Sequence, residues 1–272
     1  MSQWTDKDYL TKQQYVDPSN LNARIRLHQL YSTNPQELQH WMFDKMLENT
    51  PEQARILVLG GGTGLFWQKN AERISAGWEI TVSDLSQGML DDAQKNLKDI
   101  VGHFDFRVID AQEIPFGDNT FDIVTAHFML YHVPDRVRAI AEIRRVLKPD
   151  GYLHAVTLGE NHLRELYELA HEIIPERILP RNTASNAFRL ENGAEQILGS
   201  FGKVSLARHD CDLKVTELQP LVDYALSLDS IEADDKRLGT FKNTLRQIFG
   251  RDGSIHISKD AGLFIANGYA KE

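Results

Sequence analysis

The residues best suited to bind a ligand form a glycine-rich turn, G-G-G-T-G, at positions 60–64, directly after the apolar run Ile56–Leu59. Glycine is favoured there because a β-carbon would hinder positive φ angles and the approach of a ligand to backbone N–H groups at a helix start. The dinucleotide pattern G-x-G-x-x-G fails, since Leu65 and Trp67 stand where its last glycine is required. The Walker pattern also fails, since no Gly-Lys-Ser/Thr follows. The turn therefore suits a nucleoside whose carboxylate, and not a pyrophosphate, meets the glycines.

Two carboxylates follow the next two predicted strands. Asp84 stands 20 residues after Gly64, where an acidic side chain can accept hydrogen bonds from both ribose hydroxyls. Asp110 ends the third strand, where a carboxylate can accept from an adenine amino group. The carboxyl ends of strands in an open α/β sheet converge on one crevice, so the sequence predicts one cofactor site. Its predicted residues are Gly60, Gly61, Gly62, Gly64, Asp84, Leu85 on the adenine face, Asp110, Ala111 and Gln112.

The elements that must position these residues alternate between short β-branched runs and helical patterns, which is typical of βαβ units around a mostly parallel sheet. Met89, Leu90, Ala93 and Leu97 recur at helical spacing after the second strand. A second helix, with Val137, Ile140, Ile143 and Leu147 in register, precedes the turn 148–151. We expect strands at Arg55–Gly60, Trp78–Ser83, Phe104–Ile109, Phe121–Ala126, Tyr152–Thr157, Lys203–Asp210, Ser254–Ser258 and Gly262–Tyr269.

The flanks of this unit have helical patterns instead. Asn34-Pro35 predicts an N-cap followed by proline at the first helical position, and Leu38, Trp41, Met42 and Met46 then form one apolar stripe. We therefore expect an N-terminal helical cap over residues 1–50. Residues 51–272 are predicted to form the core, with a helical cap insertion at about 214–250.

Composition excludes several classes of protein. The chain has 272 residues, of which 42% are apolar, and a formal net charge of −9. These values suit a globular fold and argue against a nucleic-acid partner, because neutralising phosphates requires a basic surface. The sequence contains no apolar stretch long enough for a membrane span, and its first residues are polar, so we expect no membrane partner. One cysteine, Cys211, permits no internal disulfide, which favours the cytoplasm.

Residues 55–158 resemble the class I S-adenosylmethionine-dependent methyltransferases, in particular the branch called type 11. This resemblance implies a Rossmann-like α/β fold, with a seven-stranded, mostly parallel sheet whose last strand is antiparallel, and S-adenosylmethionine as the cofactor. One position departs from the family: Val58 replaces the usual acidic residue that supports the charged end of the cofactor. The matching segments, in order, are VLGGGTG (58–64), VSDLSQGML (82–90), DAQEIPF (110–116), NTFDIV (119–124), LYHVPD (130–135) and LKPDG (147–151).

Four further side chains are candidates for contacts near the reacting methyl group. His127 follows the fourth strand and could contact cofactor or substrate. His132 could act as a general base, although it could equally pack before the next helix and bind only backbone. Tyr15 and Tyr31 could close over the sulfonium with their ring faces. No histidine pair has metal-ligand spacing, so we expect no metal site.

The favoured hypothesis is a methyltransferase that uses S-adenosylmethionine to methylate a small molecule at an oxygen, nitrogen or carbon nucleophile by in-line displacement. A nucleic-acid or protein methyltransferase with the same core is an alternative, opposed by the net charge of −9. A second alternative, motivated by Val58, is a non-catalytic protein that binds the cofactor without transferring its methyl group.

Overall fold

The computed structural model of the chain describes residues 5–15, 19–100, 102–173, 187–227 and 236–270. Its centre is a seven-stranded sheet with the order β3-β2-β1-β4-β5-β9-β6. Strand β9 runs antiparallel to both of its neighbours, β5 and β6, so the predicted sheet with an antiparallel last strand is confirmed. The strands are β1 (Ala54–Leu59), β2 (Trp78–Asp84), β3 (His103–Val108), β4 (Phe121–His127), β5 (Leu147–Leu158), β6 (Phe201–Asp210) and β9 (Asp260–Tyr269).

Strand β1 lies at the point where the order of the parallel strands reverses. It pairs with β2 on one side, where Val58 is opposite Val82, and with β4 on the other, where Leu59 is opposite Ala126. The connections after β1 and β4 therefore leave in opposite directions and open a crevice at the carboxyl ends of the strands. The glycine turn and the residues that follow β2, β3 and β4 all lie at this crevice.

Helices cover both faces of the sheet because β1 and β2 present apolar side chains on each side. Ile56 and Val58 face a cluster that includes Trp67 and Trp78, whereas Leu57 faces a second cluster with α6. The helices that follow the core strands are α4 (Leu65–Lys69), α5 (Gln87–Leu97), α6 (Arg136–Val146), α7 (Arg164–Ile173) and α8 (Gly193–Leu198).

The predicted helical stripes are confirmed except at two residues of the second helix: Val137 is exposed, and Leu147 begins β5 after α6 has ended. All four residues of the α5 stripe are buried, and the Ser86 hydroxyl caps the helix by accepting from the Met89 N–H at 3.4 Å. In α6 the side chains of Ile140 and Ile143 are buried, but Val137 is 79% exposed. Val137 lies in the first turn of α6, where the helix has not yet reached the sheet, so its assignment to the apolar stripe is wrong.

The cap consists of helices and a small second sheet. It contains α1 (Lys7–Tyr9), which continues as a π-helical turn (Leu10–Gln14), α2 (Ser19–Tyr31), α9 (Leu218–Ser227) and α10 (Lys236–Asp252). Strands β7 (Leu213–Val215) and β8 (Ile255–Ile257) pair with each other outside the main sheet, and Leu213 also bridges Ser32. The strand predicted at Ser254–Ser258 is therefore present, but it is not part of the seven-stranded sheet. Both strands carry buried residues that pack on the cap helices around Leu27 and Phe241, which explains their separation.

Helix α3 (Leu38–Leu47) links the cap to the sheet. Trp41 and Met42 pack against Val156 and Leu263 of the sheet, as the predicted apolar stripe requires. The helix begins at Leu38, so Asn34 is not its N-cap: the Asn34 side chain instead accepts from the Gln36 N–H at 2.8 Å in a turn ahead of the helix. Within the described ranges, no helix combines the length and apolarity needed to cross a membrane.

Candidate functional site

The glycine turn follows β1 and leads into α4. Gly60, Gly62 and Gly64 have φ angles of 65°, 55° and 76°, in the region that favours glycine. A β-carbon at Gly60 would lie 2.7 Å from the Met129 Cβ, and one at Gly64 would lie 2.9 Å from the Leu97 Cδ1. Backbone conformation and packing therefore both require glycine at these two positions, and the turn presents its backbone to the crevice.

Asp84 ends β2 beside this turn. Its carboxylate accepts from the Gly62 N–H and from the Ser86 N–H, both at 2.9 Å. Burial raises the pKa of Asp84, although the hydrogen bonds from backbone N–H groups act in the opposite direction. The carboxylate is thus fixed against the glycine turn, and an ionised Asp84 at neutral pH gains from any further donor that a ligand brings.

Asp110 follows β3 at the neighbouring edge of the crevice. It accepts from the Gln112 backbone N–H at 3.0 Å and forms an ion pair with Lys7 of α1. Partial burial alone would raise the pKa of Asp110. The hydrogen bonds from Lys7 and Gln112 outweigh this effect, so the net result is a lowered pKa. The first helix of the cap therefore contacts a predicted adenine-binding residue directly.

A second contact joins the cap to the same crevice. The Ser86 hydroxyl donates to the Tyr15 backbone carbonyl at 2.8 Å. Together with the ion pair between Lys7 and Asp110, this bond places residues 5–15 across the ends of β2 and β3. The crevice is thereby converted into a cavity of about 640 Å³, a size typical of sites that enclose a small molecule.

His127 ends β4 at the wall of this cavity. Its ring packs edge-on against Phe66, with 4.9 Å between the ring centroids. Burial lowers the pKa of His127 to about 4, so its imidazole is neutral at physiological pH.

His132 lies in the short 3-10 turn Leu130–His132, and its backbone N–H donates to the Met129 carbonyl at 2.9 Å. Its Nε2 is 3.2 Å from the Tyr15 hydroxyl, and the two rings meet edge-on. The Tyr15 hydroxyl in turn accepts from Arg24 Nη1 at 3.4 Å. His132, the predicted base, and Tyr15 are thus neighbours in the cavity, and the cationic Arg24 is hydrogen-bonded to Tyr15.

The structure brings most of the sequence-predicted site residues to one cavity. Two are placed elsewhere. Gly64 caps α4 and packs against Leu97, so it shapes the turn without lining the cavity. Tyr31 lies at the end of α2, on the cap cluster and near Glu217, and is not among the residues that line the cavity. The predicted residues that line the cavity are Gly60, Gly61, Gly62, Asp84, Leu85, Asp110, Ala111, Gln112, His127, His132 and Tyr15.

Sequence reasoning missed the part of the cavity that belongs to the cap. These residues belong to segments without a recognisable motif, and only the spacing of Leu21, Arg24 and His28 along one helix face would have indicated a shared surface. Lys259 reaches the cavity from the junction of β8 and β9, which the sequence does not indicate. The missed polar residues include Arg24, His28, Glu37, His162, Tyr167, Tyr224 and Lys259, together with Tyr131 from the LYHVPD segment of the core.

No metal centre is found in the part of the chain that the structure describes, since no three His, Cys, Asp or Glu residues are grouped suitably there. The cavity combines glycine backbone and two carboxylates at the sheet edge with aromatic and cationic side chains under the cap.

Known proteins resemble the core of the chain. Residues 57–155 match the family described as methyltransferase domain. The chain is 37% identical over 99 residues to the ubiquinone/menaquinone biosynthesis C-methyltransferase UbiE of Idiomarina loihiensis, covering 36% of this chain and 39% of that protein. It is 35% identical over 128 residues to the protein of the same name from Cellvibrio japonicus, covering 46% of this chain and 51% of the relative. These matches span half or less of the curated relatives.

Solved structures share the fold at lower sequence identity. The YcgJ protein from Bacillus subtilis has a TM-score of 0.56 at 18% identity, covering 86% of this chain and 99% of that protein. The phosphoethanolamine N-methyltransferase 2 of Haemonchus contortus, solved with S-adenosylhomocysteine, has a TM-score of 0.56 at 19% identity, covering 98% of this chain and 60% of that protein. Residues 57–155 of this chain are therefore similar to the methyltransferase domain family, and the chain shares its fold with these solved structures.

Proposed function

We propose that the protein methylates a small-molecule acceptor with S-adenosylmethionine as the donor. The observation that carries this proposal is the convergence of the glycine turn, Asp84 and Asp110 on one partly open cavity of about 640 Å³ whose other wall is the cap. The UbiE relatives are named C-methyltransferases, but they match only the core. The acceptor nucleophile therefore stays open among oxygen, nitrogen and carbon.

The residues present fit the cofactor. Gly60 and Gly62 have positive φ angles and line the cavity with their backbone, which suits a carboxylate against backbone N–H groups. Asp84 is placed to accept from ribose hydroxyls, and Asp110 from an adenine amino group, with Leu85 on the ring face. Bound there, S-adenosylmethionine supplies an activated methyl group on its sulfonium.

The ammonium group of the cofactor needs a different partner from the usual one. Val58 is buried in β1 next to Gly61, and its side chain carries no charge. Glu37 of the segment before α3 lines the same cavity and forms an ion pair with Lys69, at 3.0 Å between Nζ and Oε2. We infer that Glu37 supplies the negative charge that the core lacks.

The side chains of this protein then orient the acceptor, exclude water and hold a proton. Neutral His127 presents no positive charge near the sulfonium position. The Nε2 of His132, 3.2 Å from the Tyr15 hydroxyl, is the group placed to take the proton that an oxygen, carbon or nitrogen nucleophile loses. Residues 5–15 close the cavity, which strengthens these electrostatic interactions by removing water.

The two alternatives are less well supported. A nucleic-acid or protein substrate would need an open cleft with a basic border, whereas this site is covered by the cap and the net charge is −9. A non-catalytic cofactor-binding protein would have no need of the paired Tyr15 and His132 in the cavity. We also propose that residues 1–50 and about 214–250 form the cap, that residues 51–272 carry the core, and that the protein acts in the cytoplasm.

Isothermal titration calorimetry of the full chain with S-adenosylmethionine and S-adenosylhomocysteine tests this function. We expect one site per chain for both ligands. Absence of binding for both would contradict the proposal, while binding without methyl transfer to any of a broad set of small acceptors would favour the non-catalytic alternative.

A further inference from the structure

The cap end of the cavity is electrostatically different from the nucleotide end. Helix α2 presents Leu21, Arg24 and His28 to the cavity at intervals of three and four residues, so they share one face of the helix. Its other face buries Leu27 in the cap cluster. The face of α2 that carries Leu21, Arg24 and His28 therefore forms one wall of the cavity and is not a solvated surface.

Among the hydrogen bonds that the structure describes, Arg24 donates to neutral oxygens. Its Nε donates to the Ser227 hydroxyl at 3.1 Å, and one Nη donates to the Ser227 carbonyl at 2.5 Å. The other Nη donates to the Tyr15 hydroxyl over a longer distance, 3.4 Å. This weakest bond joins two residues that line the cavity, so a ligand oxygen that approaches there can replace it with a shorter, charge-assisted bond.

Tyrosines surround the guanidinium and keep it charged. Tyr131, Tyr167 and Tyr224 line the same cavity. Burial alone would lower the pKa of Arg24. Its interactions with Tyr15 and these three phenols outweigh this effect, so the net result is a raised pKa. Burial in turn raises the pKa of Tyr131 and of Tyr224, so their hydroxyls stay protonated and can donate hydrogen bonds.

A second cation lies at this end. Lys259 lines the cavity, is almost fully buried, and has its Nζ 3.9 Å from the Cys211 sulfur. His28 and His162 lie near it, with 5.6 Å between their ring centroids, and burial together with the positive charge of Lys259 lowers the pKa of each. Both imidazoles are therefore neutral at physiological pH. Burial also lowers the pKa of Lys259, whereas the pKa of Arg24 is raised, so Arg24 is the permanent cation at this end.

The carboxylates of the cavity do not offset this charge. Among the described lining residues these are Glu37, Asp84 and Asp110. Glu37 pairs with Lys69, Asp84 accepts from the glycine turn, and Asp110 pairs with Lys7. All three contacts are made with the segments around the nucleotide crevice, whereas Arg24 and Lys259 contact the cap residues Ser227 and Cys211.

We propose that the methyl acceptor carries an oxyanion, a carboxylate or a phosphate, and that Arg24 binds it at the cap end of the cavity with the hydroxyls of the surrounding tyrosines. The chain of contacts from Arg24 through Tyr15 to His132 Nε2 then sets where the reacting atom lies relative to the base. This inference rests on the proposed function for the reaction, but the anion site itself is a property of the cap.

Three probes with one ring and different end groups test the anion site: benzoate, phenyl phosphate and neutral benzamide. Their binding to the full chain is measured by calorimetry at millimolar concentration and constant ionic strength, both without and with saturating S-adenosylhomocysteine. We expect the two anions to bind at least about 10-fold more tightly than benzamide, since hydrogen bonds to charged groups contribute more than neutral ones. The tighter of the two anions identifies carboxylate or phosphate as the preferred group.

Two variants on α2 test whether Arg24 is responsible for the preference for anionic probes. Arg24→Gln is expected to weaken anion binding by about 10- to 100-fold and leave benzamide binding unchanged. Arg26→Gln is the matched control, since Arg26 is exposed on α2 and does not line the cavity. If Arg24→Gln lowers the melting temperature, Arg24→Lys decides: it keeps the charge but not the planar donors, and it should bind the anions less tightly than wild type.

Several results would overturn the inference: no binding of either anion, equal binding of all three probes, an anion preference retained in Arg24→Gln, or the same loss in Arg26→Gln. Failure of S-adenosylhomocysteine to bind would instead overturn the proposed function, because the anion preference is also measured without it.

Discussion

Asp84→Asn tests the cofactor site at its most constrained carboxylate. In the structure this carboxylate holds the glycine turn through the Gly62 N–H at 2.9 Å and also accepts from the Ser86 N–H. With the cofactor bound we expect it to accept from two ribose hydroxyls as well. Each charge-assisted bond contributes about 1.5–3 kcal/mol, so complete loss of both corresponds to about 3–6 kcal/mol.

The asparagine variant retains one acceptor oxygen, so about half of that loss is expected. S-adenosylhomocysteine should therefore bind the variant about 10- to 100-fold more weakly, at about 1.4 kcal/mol for each factor of ten. Calorimetry at neutral pH measures the change. Asp91→Asn is the matched control, because Asp91 is exposed on α5 and bonds only to Gln87 among the hydrogen bonds that the structure describes.

The pH dependence gives an independent check on the same residue. Burial raises the pKa of Asp84, so its carboxylate becomes protonated at a higher pH than an ordinary aspartate would. Affinity for S-adenosylhomocysteine should consequently fall as pH decreases towards this raised pKa, and the fall should be absent in Asp84→Asn. An Asp84→Asn variant that binds as tightly as wild type at neutral pH would refute the ribose assignment.

Three further predictions concern folding and the departure at Val58. Gly64→Ala should lower the free energy of unfolding by about 1–3 kcal/mol in denaturant titrations, since φ is 76° and a β-carbon would meet Leu97 at 2.9 Å. Gly239→Ala is the control: Gly239 is exposed in α10 with nothing within 4 Å, so this variant should raise the free energy of unfolding by about 0.5–1 kcal/mol. Equal effects of the two variants would contradict the steric argument. Burial lowers the pKa of His154 from 6.5 to about 3, so between these pH values the unfolded chain binds a proton that the folded chain does not. The contribution of neutral His154 to stability is therefore complete above pH 6.5 and is lost as pH falls towards 3, by on the order of 3 kcal/mol at about pH 4. In a His154→Leu variant, the free energy of unfolding should decrease less steeply as the pH is lowered. Val58→Glu should lower the melting temperature of the ligand-free chain, because it buries a carboxylate among Ile56, Val82 and their neighbours, and saturating S-adenosylhomocysteine should recover part of the loss; a loss that the ligand leaves unchanged would show that position 58 does not face the ammonium.

The core was predictable because its signals are local and repeated. The glycine turn needs positive φ angles that few other residues adopt. Asp84 is the last residue of β2 and Asp110 follows the end of β3 by two residues, so topology alone brings them to one crevice. The stripe of α5 was likewise readable from its spacing. Where a local pattern and the sheet agreed, the sequence was sufficient to predict the fold.

The cap was not predictable to the same degree, because its contacts join residues far apart in the chain. Arg24 meets Ser227 across 203 positions, and Tyr15 meets His132 across 117. Ser254–Ser258 has the composition of a sheet strand, yet Ile257 pairs with Leu213 because the cap offers its own apolar cluster. The position of Tyr31 outside the lining of the cavity has a related reason: the sequence shows that a tyrosine is on a helix, but not which face of that helix meets the cavity.

The central claim is that the crevice at the ends of β1, β2 and β3 binds S-adenosylmethionine beneath the cap. A crystal structure of the full chain with S-adenosylhomocysteine tests it most directly. The account predicts the ribose hydroxyls within hydrogen-bond distance of Asp84, the adenine between Leu85 and Asp110, and the sulfur on the side of the cavity that faces His127 and His132. Electron density for the ligand outside this cavity, or in it with the ribose away from Asp84, would contradict the account.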